Sequence, residues 1–213
     1  MPIDWQAWHD EYDTPGSRLA RRLSAVQGFI RDAIDRAPPG PIRAVSVCAG
    51  EGRDLLGVLA GHPRAPDVAA RLVELDPELA ARARAGAPPG VEVVCGDASI
   101  TDSYRGAAPA DLVLVCGVFG NVTDDDVRNT VVTLPTLCAP GATVIWTRHR
   151  RPPDLTVDIR RWFSEAGFEE AGFVASDEVF FGVGANRLCV SPPAWTSQRL
   201  FTFVGADTLA GSG

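Results

Sequence analysis

Three apolar segments of the chain end in short polar motifs that contain glycine or a carboxylate. Gly50 and Gly52, after the first segment, permit a tight turn and a close approach of the backbone to a ligand. Glu74 follows the second segment, roughly twenty residues after the glycines, where a carboxylate can accept hydrogen bonds from ribose hydroxyls. Asp97 and the backbone N–H of Ala98 follow the third and offer the acceptor and donor that an adenine edge needs. Each motif alone is a common turn, but the three in this order predict a nucleotide site.

The elements that position these motifs alternate between short β-rich runs and helical stretches. Buried strands are predicted over residues 43–48, 71–75, 91–95, 111–116 and 142–147. Helices are predicted between them, at 53–60, from Pro77 in a first-turn position, from Thr123 as a cap, and from near Asp154 to Gly167. This alternation is typical of an α/β protein with a Rossmann-like, doubly wound parallel sheet. In such a sheet the ligand lies beyond the carboxyl ends of the strands, which is where the polar motifs fall.

The amino end of the chain is predicted to be helical. Asp4 can cap a short helix in which Trp5, Trp8 and Tyr12 recur at helical spacing. Ser17 can cap a second, amphipathic helix. At the other end, the apolar runs at 171–176, 186–190 and 199–204 have no helix between them. We therefore expect an antiparallel hairpin to close the sheet.

The composition excludes several classes of protein. All 20 basic residues are arginine, and without lysine the chain lacks the side chain used by Schiff-base enzymes, P-loop nucleotide hydrolases and protein kinases. The 27 acidic residues give a formal net charge of −7, which argues against a nucleic-acid partner. No apolar run approaches the length of about 20 residues that a membrane span needs, and the first residues lack the layout of a signal peptide. We expect a cytoplasmic protein that does not associate with membranes.

The five cysteines and three histidines do not have the spacing of a metal site or a redox pair. Most of the cysteines lie in apolar runs and are expected to be reduced. Cys116, at a strand end, is the one for which a catalytic thiol remains an alternative. No metal is therefore predicted.

The ordered motifs resemble those of the class I S-adenosylmethionine-dependent methyltransferases. The resemblance rests on VSVCAGEGRDLL, RLVELDPELAARAR, VVCGDAS, ADLVLVCGVFGNV and LPTLCAPGATVIWT, which together cover most of residues 43–147. It implies S-adenosylmethionine as methyl donor, S-adenosylhomocysteine as product, and a seven-stranded sheet whose last strand is antiparallel. We expect one methyltransferase domain over 1–213, with a helical lid over 1–40, a cofactor-binding α/β core over 41–205 and a flexible tail over 206–213.

The resemblance also assigns the candidate cofactor residues. The glycine loop would face the methionine and ribose, Glu74 the ribose hydroxyls, and Asp97 with Ala98 the adenine. The segment from Cys116 to Phe119 would border the methionine and the reacting methyl group. The whole cofactor-binding set follows the first four strands and comprises Cys48, Ala49, Gly50, Gly52, Asp54, Glu74, Leu75, Asp97, Ala98, Cys116, Gly117 and Phe119.

Two positions depart from the family pattern. The family commonly has an acidic residue inside the first strand and a glycine two residues later, where this chain has Ser46 and Cys48. The cofactor's amino group is then recognised either by backbone carbonyls of the loop or by a carboxylate elsewhere. Pro135 is predicted to end or kink the helix before the fifth strand.

Catalysis needs few groups, because methyl transfer from a sulfonium is an in-line displacement. A general base is required only if the acceptor carries a proton of high pKa. The candidates are His149, just past the fifth strand, and His9 and Tyr12 in the amino-terminal segment. His149 is also compatible with a surface position in an Arg-rich turn, and Tyr12 with packing of the first helix onto the body.

The predicted function is methyl transfer to an unidentified, small-molecule acceptor. One alternative is a non-catalytic sensor that binds adenosyl nucleotides in the same pocket. A second is a nicotinamide-dependent oxidoreductase, which is disfavoured because Leu55 stands where the third glycine of its fingerprint would fall. The sequence makes no prediction about the oligomeric state.

Overall fold

The computed structural model describes residues 12, 14, 16–178 and 180–204. Its strands are β1 (Ile42–Val47), β2 (Val68–Glu74), β3 (Val91–Cys95), β4 (Ala110–Val115), β5 (Cys138–His149), β6 (Phe168–Ser176) and β7 (Phe181–Leu188). They form one sheet in the order β3-β2-β1-β4-β5-β7-β6. β7 is antiparallel to both of its neighbours, and the pairs from β3 to β5 are parallel. The seven-stranded sheet with one reversed strand is thus confirmed.

The α-helices of the described residues are α1 (Arg18–Arg36), α2 (Arg53–Leu59), α3 (Pro77–Gly86), α4 (Asp124–Thr133) and α5 (Thr156–Glu165). The predicted caps Ser17 and Thr123 are present, whereas Asp4 lies outside the described residues. The Ser17 hydroxyl accepts a hydrogen bond from the Ala20 N–H at 3.1 Å, and the Thr123 hydroxyl accepts one from the Asp126 N–H at 3.1 Å. α4 ends at Thr133 and continues as a 3₁₀ turn through Pro135, as the proline predicts.

Two apolar cores lie on the two faces of the sheet, because neighbouring residues of a buried strand point to opposite faces. Ala44 of β1 packs with α1, α2 and α3, whereas Val45 packs in the core that contains α4 and α5. Ile30 and Ile34 of α1 are fully buried in the first core, and Trp146 of β5 is fully buried in the second. The helices on both faces leave the carboxyl ends of the parallel strands as the open edge of the sheet. None of the helices within the described ranges is long and apolar enough to cross a membrane.

The last apolar run was expected to contribute to the closing hairpin, but the hairpin is made by β6 and β7. Residues 189–204 form an extended segment, which we call the C-terminal strap, with only isolated β-bridges. Its Leu200 N–H donates to the Ser99 carbonyl at 2.7 Å, and the Asn129 side-chain amide donates to the Leu200 carbonyl at 2.8 Å. The strap lies elsewhere because loop and helix side chains satisfy its backbone groups and because Leu200 and Phe201 are fully buried in the second core.

Candidate functional site

The loop after β1 is built around three residues with positive φ. Cys48 has φ 53°, Gly50 has φ 57° and Gly52 has φ 72°. Cys48 thus adopts the left-handed conformation that a glycine would ordinarily supply at this position. The Ala49 N–H donates to the Val73 carbonyl at 3.0 Å, which ties the loop to the end of β2. The departure from the family sequence at Cys48 therefore leaves a tight turn in place.

Glu74, the last residue of β2, is bonded to this loop. One oxygen of its carboxylate accepts a hydrogen bond from the Gly50 N–H at 2.7 Å, and the other accepts one from the Asp76 N–H at 2.9 Å. Asp76 instead caps α3 by accepting from the Glu78 and Leu79 N–H groups at 2.8 and 3.0 Å. Leu75, between the two acids, is 64% exposed and offers an apolar surface beside Glu74.

Asp97 lies in the loop after β3, with both carboxylate oxygens held. Oδ1 accepts hydrogen bonds from the Ser99 N–H at 2.8 Å and the Ser99 hydroxyl at 2.5 Å, and Oδ2 lies 3.4 Å from the Arg199 guanidinium. Partial burial raises the pKa of Asp97, but the bonds from Ser99 and the charge of Arg199 outweigh it and hold the pKa below its usual value. The N–H of Ala98 donates to no other described residue. An ionised acceptor therefore lies beside an unused donor.

Asp54, at the start of α2, forms a polar cluster with Arg22 of α1 and Cys116 of the loop after β4. Its carboxylate accepts a hydrogen bond from the Leu55 N–H at 2.9 Å and one from the Cys116 thiol, and it interacts electrostatically with Arg22 of α1. Burial raises the pKa of Asp54 and raises that of the Cys116 thiol well above its usual value. The Cys116 thiol is therefore protonated, which argues against the alternative of a catalytic thiolate.

Tyr12 lies beside the same cluster. Its hydroxyl accepts a hydrogen bond from the Arg22 guanidinium at 2.7 Å, and the Arg53 guanidinium carbon lies 5.5 Å from the centre of its ring. Burial raises the pKa of Tyr12, so its hydroxyl is neutral and a poor base at neutral pH. His9, with Trp5 and Trp8, lies outside the described residues. Tyr12 thus lies beside Arg22 and Arg53, at the start of the helix that follows the glycine loop.

The loop after β4 completes the edge. The Gly117 N–H donates to the Thr147 hydroxyl at 2.8 Å, and the Asn121 side-chain amide donates to the Gly117 carbonyl at 2.7 Å. Phe119 was expected to border the cofactor, but its side chain is fully buried and packs against Trp146 with 6.1 Å between ring centres. The ring belongs to the apolar core rather than to the open edge, and a place for Phe119 beside the cofactor stays a prediction.

His149, the last residue of β5, lies beside the loop after β4. Its ring comes within 3.5 Å of the position that a Cβ on Gly120 would take. Its Nδ1 is buried and has no hydrogen-bond partner within the described part of the chain. Burial, and then the charges of Arg148 and Arg151, lower the pKa of His149. The imidazole is therefore neutral at neutral pH, and one of its nitrogens is unpaired.

Two glycines border open space at this edge of the sheet. Gly50 and Gly117 have φ values of 57° and 78°, and a Cβ on either would meet no atom within 4 Å. A glycine beside open space lets the backbone approach a ligand closely, because no side chain stands in between. Among the described residues, no group of three or more histidine, cysteine or acidic side chains is arranged to hold a metal ion.

Two site residues carried no sequence signal. Arg22 and Arg199 reach the edge from α1 and from the C-terminal strap, and nothing local distinguishes them from the chain's other arginines. Only the packing of distant segments against the loops reveals them. The remaining candidates after the first four strands occupy one edge, whereas Phe119 points away from it.

Comparison with known proteins gives structural matches but no sequence matches. No family model matches the chain, and neither does any curated protein. The magnesium protoporphyrin IX methyltransferase of Synechocystis, solved with bound S-adenosylmethionine, is 11% identical, with 88% of this chain and 92% of that chain covered and a TM-score of 0.66. An N-methyltransferase of Bradyrhizobium japonicum in complex with S-adenosylhomocysteine is 14% identical, with 86% and 97% covered and a TM-score of 0.60.

A third similar structure holds both a cofactor product and an acceptor. The 1,6-didemethyltoxoflavin N1-methyltransferase of Burkholderia thailandensis is 16% identical, with 86% of this chain and 81% of that chain covered and a TM-score of 0.63. At such low identity the likeness shows the fold alone. The strand order, the reversed β7 and these matches agree, and the chain has the fold of the class I S-adenosylmethionine-dependent methyltransferases.

Proposed function

We propose that the protein transfers a methyl group from S-adenosylmethionine to a small-molecule acceptor. The observation that carries this proposal is the convergence of Glu74, bonded to Gly50 of the glycine loop, with the adjacent pair of Asp97 and the unused Ala98 N–H. Ribose offers hydroxyl donors, and adenine offers an amino donor and a ring-nitrogen acceptor, so the edge matches an adenosyl group. Leu75 supplies exposed apolar surface beside the ribose position.

The amino-acid end of the cofactor is assigned to the cluster around Asp54. A methionine moiety carries an ammonium and a carboxylate, and Asp54 and Arg22 offer one charge of each sign at the same edge. Tyr12 donates or accepts beside them and is held against Arg22. Asp54 thereby takes the place of the acidic residue that the family commonly has where this chain has Ser46.

In the reaction, the residues of this chain orient the methyl donor, exclude water and remove a proton from the acceptor. Bound S-adenosylmethionine supplies the electrophilic methyl group. The glycine loop and the strand-end acids orient the methyl donor. Tyr12, from the amino-terminal segment expected to act as a lid, helps to exclude water from this edge of the sheet. His149, kept neutral by its lowered pKa, is assigned as the group that takes a proton from an acceptor hydroxyl or amine. No metal is part of this proposal.

The nature of the acceptor is inferred from similar proteins and from charge. The magnesium protoporphyrin and didemethyltoxoflavin enzymes are named for small-molecule substrates. The net charge of −7 disfavours a nucleic-acid acceptor. A cytoplasmic location belongs to the same proposal, and all five cysteines being free is compatible with it.

The decisive experiment is a calorimetric titration of the purified protein with S-adenosylmethionine, S-adenosylhomocysteine and NAD. Binding of both adenosyl compounds with a micromolar Kd, about −8 kcal/mol, is expected, with no heat from NAD. A thermal-shift series provides a check, because stabilisation should grow as RT ln(1 + [L]/Kd). Exclusive binding of NAD, or no binding at millimolar concentration, would remove the proposal.

Turnover separates an enzyme from a sensor with the same pocket. The protein is incubated with S-adenosylmethionine and panels of phenols, amines and carboxylates, and formation of S-adenosylhomocysteine is followed. A methyltransferase releases product with at least one acceptor. A sensor binds the cofactor and leaves it unchanged in every mixture.

A further inference from the structure

The C-terminal strap is bonded to the adenine side of the candidate site over several residues. The Thr101 N–H donates to the Gln198 carbonyl at 3.0 Å, and the Gln198 N–H donates to the Thr101 hydroxyl at 2.9 Å. The next residues of the strap are fixed from the other side, since the hydroxyl of Thr130 in α4 donates to the Leu200 carbonyl at 2.9 Å. Leu200 is fully buried. The backbone on both sides of Arg199 is therefore held in place.

From this position Arg199 reaches the loop after β3. Its two terminal nitrogens both lie 3.4 Å from Oδ2 of Asp97, and one of them also hydrogen-bonds the Ser99 hydroxyl. That hydroxyl in turn donates to Oδ1 of the same carboxylate. The Asp97 carboxylate is thus held at both oxygens by groups 2 and 102 residues away in the chain. Oδ1 already accepts two hydrogen bonds from Ser99, whereas the two contacts of Oδ2 with Arg199 are long, so Oδ2 is the oxygen that can accept a hydrogen bond from a ligand.

We propose that Arg199 is a positioning residue for the adenine end of the cofactor, acting through Asp97 to favour a 6-aminopurine over a 6-oxopurine. This rests on the proposed function, because it requires that Asp97 faces the purine. A carboxylate held in one orientation accepts a hydrogen bond from an exocyclic amino group and repels an exocyclic carbonyl oxygen. A carboxylate that is free to rotate attracts the amino group less strongly and repels the carbonyl oxygen less strongly.

The charges around Asp97 predict a second measurable effect of Arg199, which is on the pH dependence of binding. Arg199 is the cation that faces it from the strap. Cys48 of the first loop and Tyr104, in a 3₁₀ turn over Thr101–Tyr104, face it from the protein interior. Burial, together with the charges of Glu74 and Asp97, raises the pKa values of that thiol and that phenol, so both are neutral in the acidic and neutral range. Removing Arg199 therefore raises the pKa of Asp97 toward its usual value. On acidification, Arg199→Ala should begin to lose affinity at a higher pH than the native protein does.

The test compares Arg199→Ala and Arg199→Lys with the native protein in titrations with S-adenosylhomocysteine and its deaminated analogue, S-inosylhomocysteine. Arg199→Ala should weaken binding of the adenosyl compound by about fivefold, the upper end for an exposed ion pair. Its preference over the inosyl compound should fall by a similar factor, and Arg199→Lys should recover part of both. The acidic limb of binding should move to higher pH in Arg199→Ala.

Two further variants separate positioning from a general loss of structure. Arg105→Ala removes a matched ion pair, with Asp102 at 2.6 Å, and a contact with Trp195 of the strap, but leaves Asp97 untouched. It should bind both compounds like the native protein. In an Asp97→Ala background, Arg199→Ala should have no further effect. Equal preference in the native protein and Arg199→Ala, or additive losses in the double variant, would overturn the inference, whereas failure of the native protein to bind would refute the proposed function itself.

Discussion

The carboxylate of Glu74 and the backbone N–H of Gly50 are 2.7 Å apart, which joins the end of β2 directly to the glycine loop after β1. The same carboxylate holds the Asp76 N–H, so one side chain orders the backbone at both strand ends. A ribose bound there would meet a carboxylate already fixed in orientation, which reduces the entropic cost of binding. The two strand-end motifs are therefore one structural unit.

Glu74→Ala should mainly lower the affinity for the cofactor, whereas Asp76→Ala should mainly lower the stability of the fold. Glu74→Ala should weaken S-adenosylhomocysteine binding by about 2 kcal/mol, because charge-assisted hydrogen bonds are lost. Asp76→Ala should leave binding nearly unchanged but lower the free energy of unfolding by about 1 kcal/mol, because Asp76 caps α3. Calorimetry and urea unfolding measure the two quantities. Equal losses of affinity would mean that Glu74 is not the ribose group.

Gly50→Ala and Gly52→Ala form a second matched pair. Both positions have positive φ, which costs an L-residue about 1 kcal/mol or more. A Cβ on Gly52 would also lie 2.7 Å from Leu72 and 2.8 Å from Leu56, whereas one on Gly50 would meet nothing within 4 Å. Gly52→Ala should therefore lower the melting temperature more.

In Gly50→Ala the added methyl group enters the open space beside the loop. We expect its melting temperature to fall by about 3 °C, from the backbone strain alone, and its affinity for S-adenosylhomocysteine to fall at least about tenfold. Thermal melts with and without ligand give both values. Native affinity in Gly50→Ala would show that the space over this glycine does not receive the cofactor.

The strand-end motifs were predictable because their positions follow from local patterns. Apolar runs of strand length and capping residues such as Ser17 and Thr123 are visible in the sequence, and a parallel sheet brings consecutive strand ends to one edge. Strand bounds differ from the predicted ones by a few residues, since hydrogen bonding extends β2 and β5 beyond their apolar centres. Fold and cofactor edge were accordingly accessible without a structure.

Long-range contacts were not predictable in this way. The apolar alternation at 199–204 was interpreted as part of a hairpin, but burial of Phe201 and hydrogen bonds from Asn129 place it across the loops instead. Phe119 lies in a segment that borders the edge, yet its ring turns into the core against Trp146. Side-chain direction and the choice of tertiary partner decide such cases, and neither has a local period.

Asp54→Asn should raise stability and weaken binding. Burial raises the pKa of Asp54, so the folded state binds a proton more tightly than the unfolded state. Stability from this group is present at low pH and is lost as pH rises through the folded-state pKa, which makes the carboxylate unfavourable for folding at neutral pH. Asparagine removes that charge with little change of shape.

Urea unfolding at pH values from about 4 to 8 tests the stability part for Asp54→Asn. The free energy of unfolding of the variant should increase relative to that of the native protein as pH rises. Its affinity for S-adenosylhomocysteine should fall, because the ammonium of the ligand loses its counter-charge. Leu55 still donates to the asparagine carbonyl, so α2 should remain intact. A less stable variant at neutral pH would show that Arg22 compensates the buried charge fully.

His149 is expected to act as the general base. Its pKa is lowered, first by burial and then by Arg148 and Arg151, so the base is already neutral above about pH 6.5, the ordinary histidine value. With an acceptor that carries an ionisable proton, kcat should be level through neutral pH and decline only below that value. His149→Ala should lower kcat about 10²-fold while leaving the Kd of S-adenosylhomocysteine unchanged. His62→Gln is the control: His62 pairs with Asp35 at 3.2 Å and is assigned no role at the site, so its replacement should leave the acidic limb in place. If His149→Ala keeps both the native kcat and the acidic limb of its pH profile, another group or water accepts the proton. His149 would then have only a structural role at the end of β5.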